Sequence, residues 1–212
     1  NGSYEIYRDG LRVGSERYTW DDAGEGQAVL RGECVLEVDG VSTSLRPSLT
    51  LDGSLNPVSF DLDKQQGSET IEVSTVFDVN RADYVVRENG METKKKLKIN
   101  VADLVVNSNV ISLFLPLAEK YDFEKGGEQD LTVFDAEKGE TYTAHCRVRG
   151  LGTVENGNGK FRARRLTIDL YEVSVDLLVD KQGRVPQISV PMMKMEARLL
   201  GYDGGEKAEL AR

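Results

Sequence analysis

Short alternating segments, punctuated by Asp-Gly, Asn-Gly and Gln-Gly pairs, most restrict the folds open to this chain. Asp9-Gly10, Asp39-Gly40, Asp52-Gly53, Asn89-Gly90 and Gln182-Gly183 each separate runs whose side chains switch between apolar and polar at every second residue. Asn-Gly and Asp-Gly accept the positive φ of type I′ turns, so the pattern predicts consecutive β-hairpins.

The longest hairpin is the clearest. In 27–38 the residues Ala28, Leu30, Gly32, Cys34, Leu36 and Val38 share one face, against Arg31, Glu33 and Glu37 on the other. In 41–52 the inward set is Val41, Thr43, Leu45, Pro47, Leu49 and Leu51. Asp39-Gly40 joins the two, and an antiparallel sheet with one wet face follows. Pro47 has no N–H for a ladder, which predicts an edge or a bulge there. Further strands are expected at 4–8, 11–20, 58–63, 70–77, 84–88 and 93–99. After the midpoint they are expected at 131–134, 141–149, 161–171, 174–179 and 185–190, with 194–200 ending the sheet.

Strand spacing is even throughout, and 212 residues suit one all-β unit. The expectation is one β-rich domain over 1–203 and a flexible polar tail over 204–212. Hydrophobic residues make up 39% of the chain, and with its 21 glycines this is an ordinary globular composition. The net charge of −9 opposes the counterion release on which nucleic-acid binding depends. No apolar run approaches the roughly 20 residues of a membrane helix. The first residue is Asn1 rather than Met, which fits an exported product whose signal peptide has been removed.

One stretch breaks the rhythm. After Asn107-Ser108-Asn109, the residues Val110, Ile111, Leu113, Phe114, Leu115, Leu117 and Tyr121 recur at helical spacing. Ser108 or Asn109 could cap such a helix, and Pro116 should kink or restart it. Because it is apolar nearly all round, it should be buried.

Residues suited to catalysis are sparse. His145, the single histidine, falls on the outer face of its strand with Thr143, Arg147 and Arg149, while its neighbour Cys146 points inward. Adjacent strand residues face opposite ways, so the two cannot form a thiolate–imidazolium pair. Cys34 and Cys146, both inward, fit either buried thiols or a cross-sheet disulfide. Paired zinc-ligand spacing is lacking. Asp78, Asn80 and Asp83 imitate part of a calcium loop but lack its glycine and its closing glutamate. Asp61 and Asp63, the alternating Lys94, Lys96 and Lys98, and the cluster Lys160, Arg162, Arg164 and Arg165 read as solvated strand faces. No phosphate-cradling glycine loop and no nucleophile elbow occurs. The expectation is a protein without enzymatic activity, metal or cofactor.

The run from Asn107 to Phe114, then Leu117, Tyr121-Asp122 and the strand near 129–134, resembles a family of uncharacterised exported bacterial proteins, a domain of unknown function. So do the late segment Val175–Asp180, Gly183-Arg184-Val185 and Val190-Pro191, and the opening Tyr4–Tyr7, Gly10 and Val13-Gly14. Where that family often has Trp in the late hairpin, this chain has Leu178. The resemblance implies a single strongly curved antiparallel sheet or open barrel, similar to lipoprotein carriers, wrapped around one short buried helix. It carries no catalytic residues.

Two roles follow for a periplasmic or outer-membrane-associated envelope protein. One is to hold a lipid or other apolar ligand between helix and sheet, lined by Val110, Leu113, Phe114, Leu117, Tyr121, Leu36, Leu45 and Leu49. The other is a structural or protein-interaction module with a filled core. Peripheral membrane association is compatible with either, and the space between helix and sheet discriminates them.

Overall fold

The computed structural model of the chain describes residues 1–99, 102–171, 173–204 and 206–207. The alternation becomes eight consecutive antiparallel strands: β1 (Gly2–Arg8), β2 (Leu11–Gly24), β3 (Gln27–Val38), β4 (Val41–Leu51), β5 (Pro57–Gln66), β6 (Glu69–Asp78), β7 (Arg81–Glu88) and β8 (Met91–Lys98). The second half gives β9 (Leu104–Val106), β10 (Glu128–Asp135), β11 (Glu140–Asn156), β12 (Gly159–Leu170), β13 (Val173–Val179), β14 (Gln187–Val190), β15 (Met195–Leu199) and the short β16 (Glu206–Lys207). Hairpin periodicity thus organises the chain as expected, with most strands one to several residues longer than their apolar cores.

The strands form one sheet in the order 8-7-6-5-4-3-2-1-15-14-13-12-11-10-9. Two meanders meet where β1 pairs with β15, Tyr4 opposite Leu199. The ends β8 and β9 are not paired, so the sheet remains open. It nevertheless folds over on itself. Phe77 of β6 packs edge-on against Phe134 of β10 at 5.1 Å, and the Tyr84 hydroxyl of β7 donates to the Ala136 carbonyl at 3.1 Å. This is an all-β, mainly antiparallel fold curled around one short helix.

Asp9-Gly10, Asp39-Gly40 and Asn89-Gly90 have positive φ at both residues, as a type I′ turn requires. The other two pairs behave differently. At Asp52-Gly53 the carboxylate accepts from the amides of Ser54 and Asn56, both at 2.8 Å, and the positive φ falls on Leu55. Gln182-Gly183 lies in a loop organised by Asp180, described below.

Pro47 corrects its sequence reading. It lies in β4, which is flanked by β3 and β5, so it is not at an edge. Pairing with β3 lapses between Arg31–Ser48 and Cys34–Leu45 and resumes in unchanged register, so there is no bulge either. The missing donor is absorbed by a local gap in the ladder.

The central helical segment also departs from expectation. Rather than one helix from 107, the chain forms the parallel strand β9 against β10, then a 3-10 turn at Ser112–Phe114 and the α-helix α1 (Leu115–Lys120). Pro116 lies in the first turn of α1, where its missing N–H costs nothing; it starts the helix rather than kinking it. Neither Ser108 nor Asn109 caps it. The segment is buried as expected, and it fills the interior of the curled sheet.

Of the segment expected to be a frayed tail, Glu206 and Lys207 pair with Arg162 and Phe161 of β12; residues 205 and 208–212 lie outside the described residues. Tyr202, just upstream, closes a second small cluster on the outer face with Val154, Phe161, Ala163 and Leu178.

Close approach of β2 to β3 depends on Gly14. A Cβ there would lie 2.2 Å from the Val35 carbonyl oxygen, a backbone atom that cannot move without breaking the ladder. Gly14→Ala should lower the melting temperature by several degrees, whereas Gly10→Asn, in an open turn that tolerates positive φ, should change it little. Thermal unfolding followed by circular dichroism tests the contrast.

Candidate functional site

The interior is pinned by one carboxylate. Glu16 occupies an inward position of β2 opposite Cys34 of β3 and is fully buried. Its Oε2 accepts the Ile111 amide at 2.7 Å and its Oε1 the Ser112 amide at 3.0 Å. These are orphan donors at the start of the 3-10 turn, so Glu16 caps from across the sheet what no neighbouring side chain caps. Next to it the Cys34 thiol donates to the Asn109 carbonyl at 3.4 Å. Gly32 leaves room for both Glu16 and Pro47: a Cβ would sit 2.8 Å from the proline Cγ and 3.2 Å from Glu16 Oε1. Burial pushes the Glu16 carboxyl up, opposed by its hydrogen bonds from Ser112 and Ile111. At the other end of α1, Lys120 Nζ donates to Asn56 Oδ1 at 2.8 Å and lies 3.4 Å from Asp103 Oδ1.

Val110, Leu113, Phe114, Leu117, Tyr121, Leu36, Leu45 and Leu49 are all buried in one continuous core. The structure therefore brings the eight residues together. Phe114 alone of them reaches the wall of a cavity of about 610 Å³ between the plug and β11–β14. Its apolar wall includes Val106, Phe114, Leu170, Val173, Val175 and Val190, the buried Asn107 lies beside it, and the rim carries Asp135, Glu137, Lys138 and Glu140. An inner groove of about 500 Å³ lies over β5–β8 around Ile71, Val73, Tyr84 and Val86. A more voluminous concavity, about 860 Å³, is an open outer-face groove walled by charged side chains such as Arg17, Arg31 and Glu33. For an apolar ligand, the enclosure and the wall chemistry favour the 610 Å³ cavity.

His145 is exposed, its Nδ1 2.7 Å from Asp130 Oδ1 across β10–β11. With Glu128 these two could approach one cation, but Glu128 is already held by Arg147 at 2.8 Å, and all three side chains are exposed. Cys34 and Cys146 are free, buried thiols. Burial, then the charge of Glu16, pushes Cys34 well up; burial, then Asp130, pushes Cys146 up to about 12. Neither is a nucleophile near neutrality. In the basic cluster, Lys160 pairs with Glu155 at 3.1 Å, and the Arg164 guanidinium lies 3.7 Å from the Phe123 ring centre.

The late motif has a structural purpose. Asp180, buried, accepts from the amides of Gln182 and Arg184 with Oδ1, and from Arg184 Nε and the Tyr202 hydroxyl with Oδ2. The Asp-x-x-Gly-Arg spacing thereby builds the β13–β14 loop and fastens the C-terminal segment to the outer face.

Glu16, Asn107 and the Asp180 network escape a reading by composition. For Glu16 a signal exists: on alternation it is inward and faces an inward cysteine, an improbable place for an acid with nothing to do.

The Glu16 carboxyl, raised above its usual 4.5, retains in the folded state a proton that the unfolded chain has released. Its contribution is therefore fully present below the ordinary value and declines as pH rises through the raised one. Relative to Glu16→Gln, wild-type stability should fall with rising pH by at most about 1.4 kcal/mol per pH unit across that window. Melting temperatures of the two proteins from about pH 4 to pH 8 test this; a wild-type value that rises relative to that of Glu16→Gln as pH increases contradicts it.

Two solved structures share the fold. A β-barrel-like protein of the DUF1849 family from Brucella abortus has a TM-score of 0.60 and 11% identity, covering 94% of each chain. A DUF1089 family protein from Pseudomonas aeruginosa has a TM-score of 0.54 and 13% identity over 88% of this chain and 93% of its own. At such identities the likeness speaks for the fold alone. No curated protein matches the chain, and no described helix is long and apolar enough to cross a membrane. Residues 3–189 match the family described as "Protein of unknown function (DUF3108)", and the chain, a β-rich open barrel as that segment-by-segment resemblance implied, belongs to that family.

Proposed function

We propose that this chain is a non-enzymatic binding protein of the bacterial envelope that holds an apolar or amphipathic small molecule in the 610 Å³ cavity between its plug and β11–β14. One observation carries the reading: a partly open cleft of ligand size, walled by Phe114, Leu170, Val173, Val175 and Val190, beside the buried plug. Placement in the periplasm is part of the same proposal. The ligand lies beside the start of the plug rather than between Leu36, Leu45, Leu49 and α1, where side chains pack directly.

The alternative, a structural or interaction module, draws on that close packing of the other seven residues. Val173→Trp separates the two. The indole would occupy the cavity from a half-buried wall position at the start of β13. Binding of the neutral probe N-phenylnaphthylamine, and any lipid adduct in the native mass spectrum of the purified protein, should be lost while the melting temperature stays within a few degrees. Failure of the wild-type protein to take up the probe removes the binding reading.

A further inference from the structure

Strand direction gathers one set of turns at a single end of the sheet. β1, β3, β7, β10, β12 and β14 all run toward it. That end therefore holds Asp9-Gly10, Asp39-Gly40, Asn89-Gly90, Tyr171 and the 3-10 turn Pro191–Met193 that follows β14. The cleft beside the plug opens there too, since Tyr171 and Met193 belong to its lining. Hairpin tips are normally polar. Here more than half of the large apolar side chains exposed among the described residues stand at this one end: Leu11, Val41, Met91, Tyr171, Met192 and Met193.

All but Met91 form one arc. The Asp9 amide donates to the Lys194 carbonyl at 3.0 Å, and Lys194 Nζ lies 2.8 Å from Asp9. These contacts hold the β1–β2 turn, and with it Leu11, beside the turn that carries Met192 and Met193. Arg8 Nη1, 3.9 Å from Asp39, links the same turn to the one preceding Val41. On the other side, Met193 and Tyr171 share the cleft mouth. Tyr171 is 87% exposed and lies between the paired Leu170 and Val173 with φ at 50°, a conformation that suits Gly or Asn better than a ring. Its ring strains the backbone and gains little packing within the chain.

The surroundings of the arc decide what covers it. Its cations are already engaged, Arg8 with Asp39, Lys194 with Asp9, and Lys138 with Asp135 at 3.5 Å, while Glu137 and Glu140 stand on the same rim. A second copy of the chain would set two acid-rich rims face to face. A rigid protein face would leave the cleft mouth as a void beneath it. Lipid chains are fluid and follow apolar surface into the mouth, and without spare cations there is no reason for the lipid to be anionic. We propose that this arc is a membrane-docking surface, on which Leu11, Val41, Tyr171, Met192 and Met193 enter the interface of a zwitterionic bilayer. This surface is independent of what the cleft holds; only the shape and position of the cleft enter here.

Flotation of the full chain with phosphatidylcholine vesicles tests it. The wild-type protein should float with them equally at low and high salt, because apolar burial is not screened. Admixed phosphatidylglycerol should not strengthen the binding. Leu11→Ser combined with Met192→Ser, both outside the cleft lining, should weaken vesicle binding at least about tenfold, the scale of two apolar side chains partly buried. Val79→Ser, similarly exposed at the opposite end, should leave it unchanged. Tyr171→Asn, which relieves the backbone, should weaken it severalfold without lowering the melting temperature. No flotation, flotation that needs phosphatidylglycerol and is lost in salt, or an equal effect of Val79→Ser overturns the proposal. So does a dimer in sedimentation that Leu11→Ser with Met192→Ser dissolves. Uptake of N-phenylnaphthylamine without vesicles should be the same in wild type and in Leu11→Ser with Met192→Ser; if wild type takes up none, the binding reading falls while docking is judged by flotation alone.

Discussion

A buried carboxylate persists only where backbone or side-chain donors replace the water it has lost, and Glu16 finds its donors in the one segment that is not sheet. That exchange fixes the relation between the two parts of the molecule. The sheet can curl in many ways around an apolar segment, because hydrophobic contact is not directional. Two amides aimed at one carboxylate are directional, and they set where the 3-10 turn begins and hence which face of Phe114 and Leu117 meets which strand. Cys34 and Gly32 are shaped around the same point, one reaching the Asn109 carbonyl and the other keeping clear of Glu16 and Pro47.

The cavity is a consequence of that anchorage. The plug is drawn toward β2 and β3, where packing is complete, and it stands off from β11–β14, where space remains. Asp180 and Tyr202 make an analogous clamp on the outside, again with an acid whose partners are mostly backbone or local groups. Both acids are spent on architecture.

Much of the fold was legible because alternation is a local signal. Leu30, Leu36, Leu45 and Leu49 declare their face by their own neighbours, and Asp39-Gly40 declares the turn between them. What could not be read depends on partners far along the chain. Pro47 reads as an edge or a bulge because a missing N–H counts against central pairing, yet the sheet simply omits that rung. The segment from Asn107 to Tyr121 reads as one helix because its apolar residues recur at helical spacing; only Leu115–Lys120 is α-helix, entered through a 3-10 turn whose amides are held by the distant Glu16. Within the candidate site, the apolar residues were recognisable as interior. Which of them line empty space was not, because a cavity is a property of how elements fail to meet, and Asn107 becomes conspicuous only once its neighbours are known.

The seam between β1 and β15 has a kinetic meaning. Tyr4 finds its partner Leu199 across nearly the whole polypeptide, and its hydroxyl is claimed by the Val185 carbonyl at 2.6 Å. Each meander can zip hairpin by hairpin from nearby residues, but joining them must wait for the last hairpin to emerge. Loop closure on that scale is slow compared with local pairing. Until then the half-formed sheet presents the apolar row Tyr4 and Ile6 along an unpartnered edge, the interval in which such a chain most needs protection from its own copies.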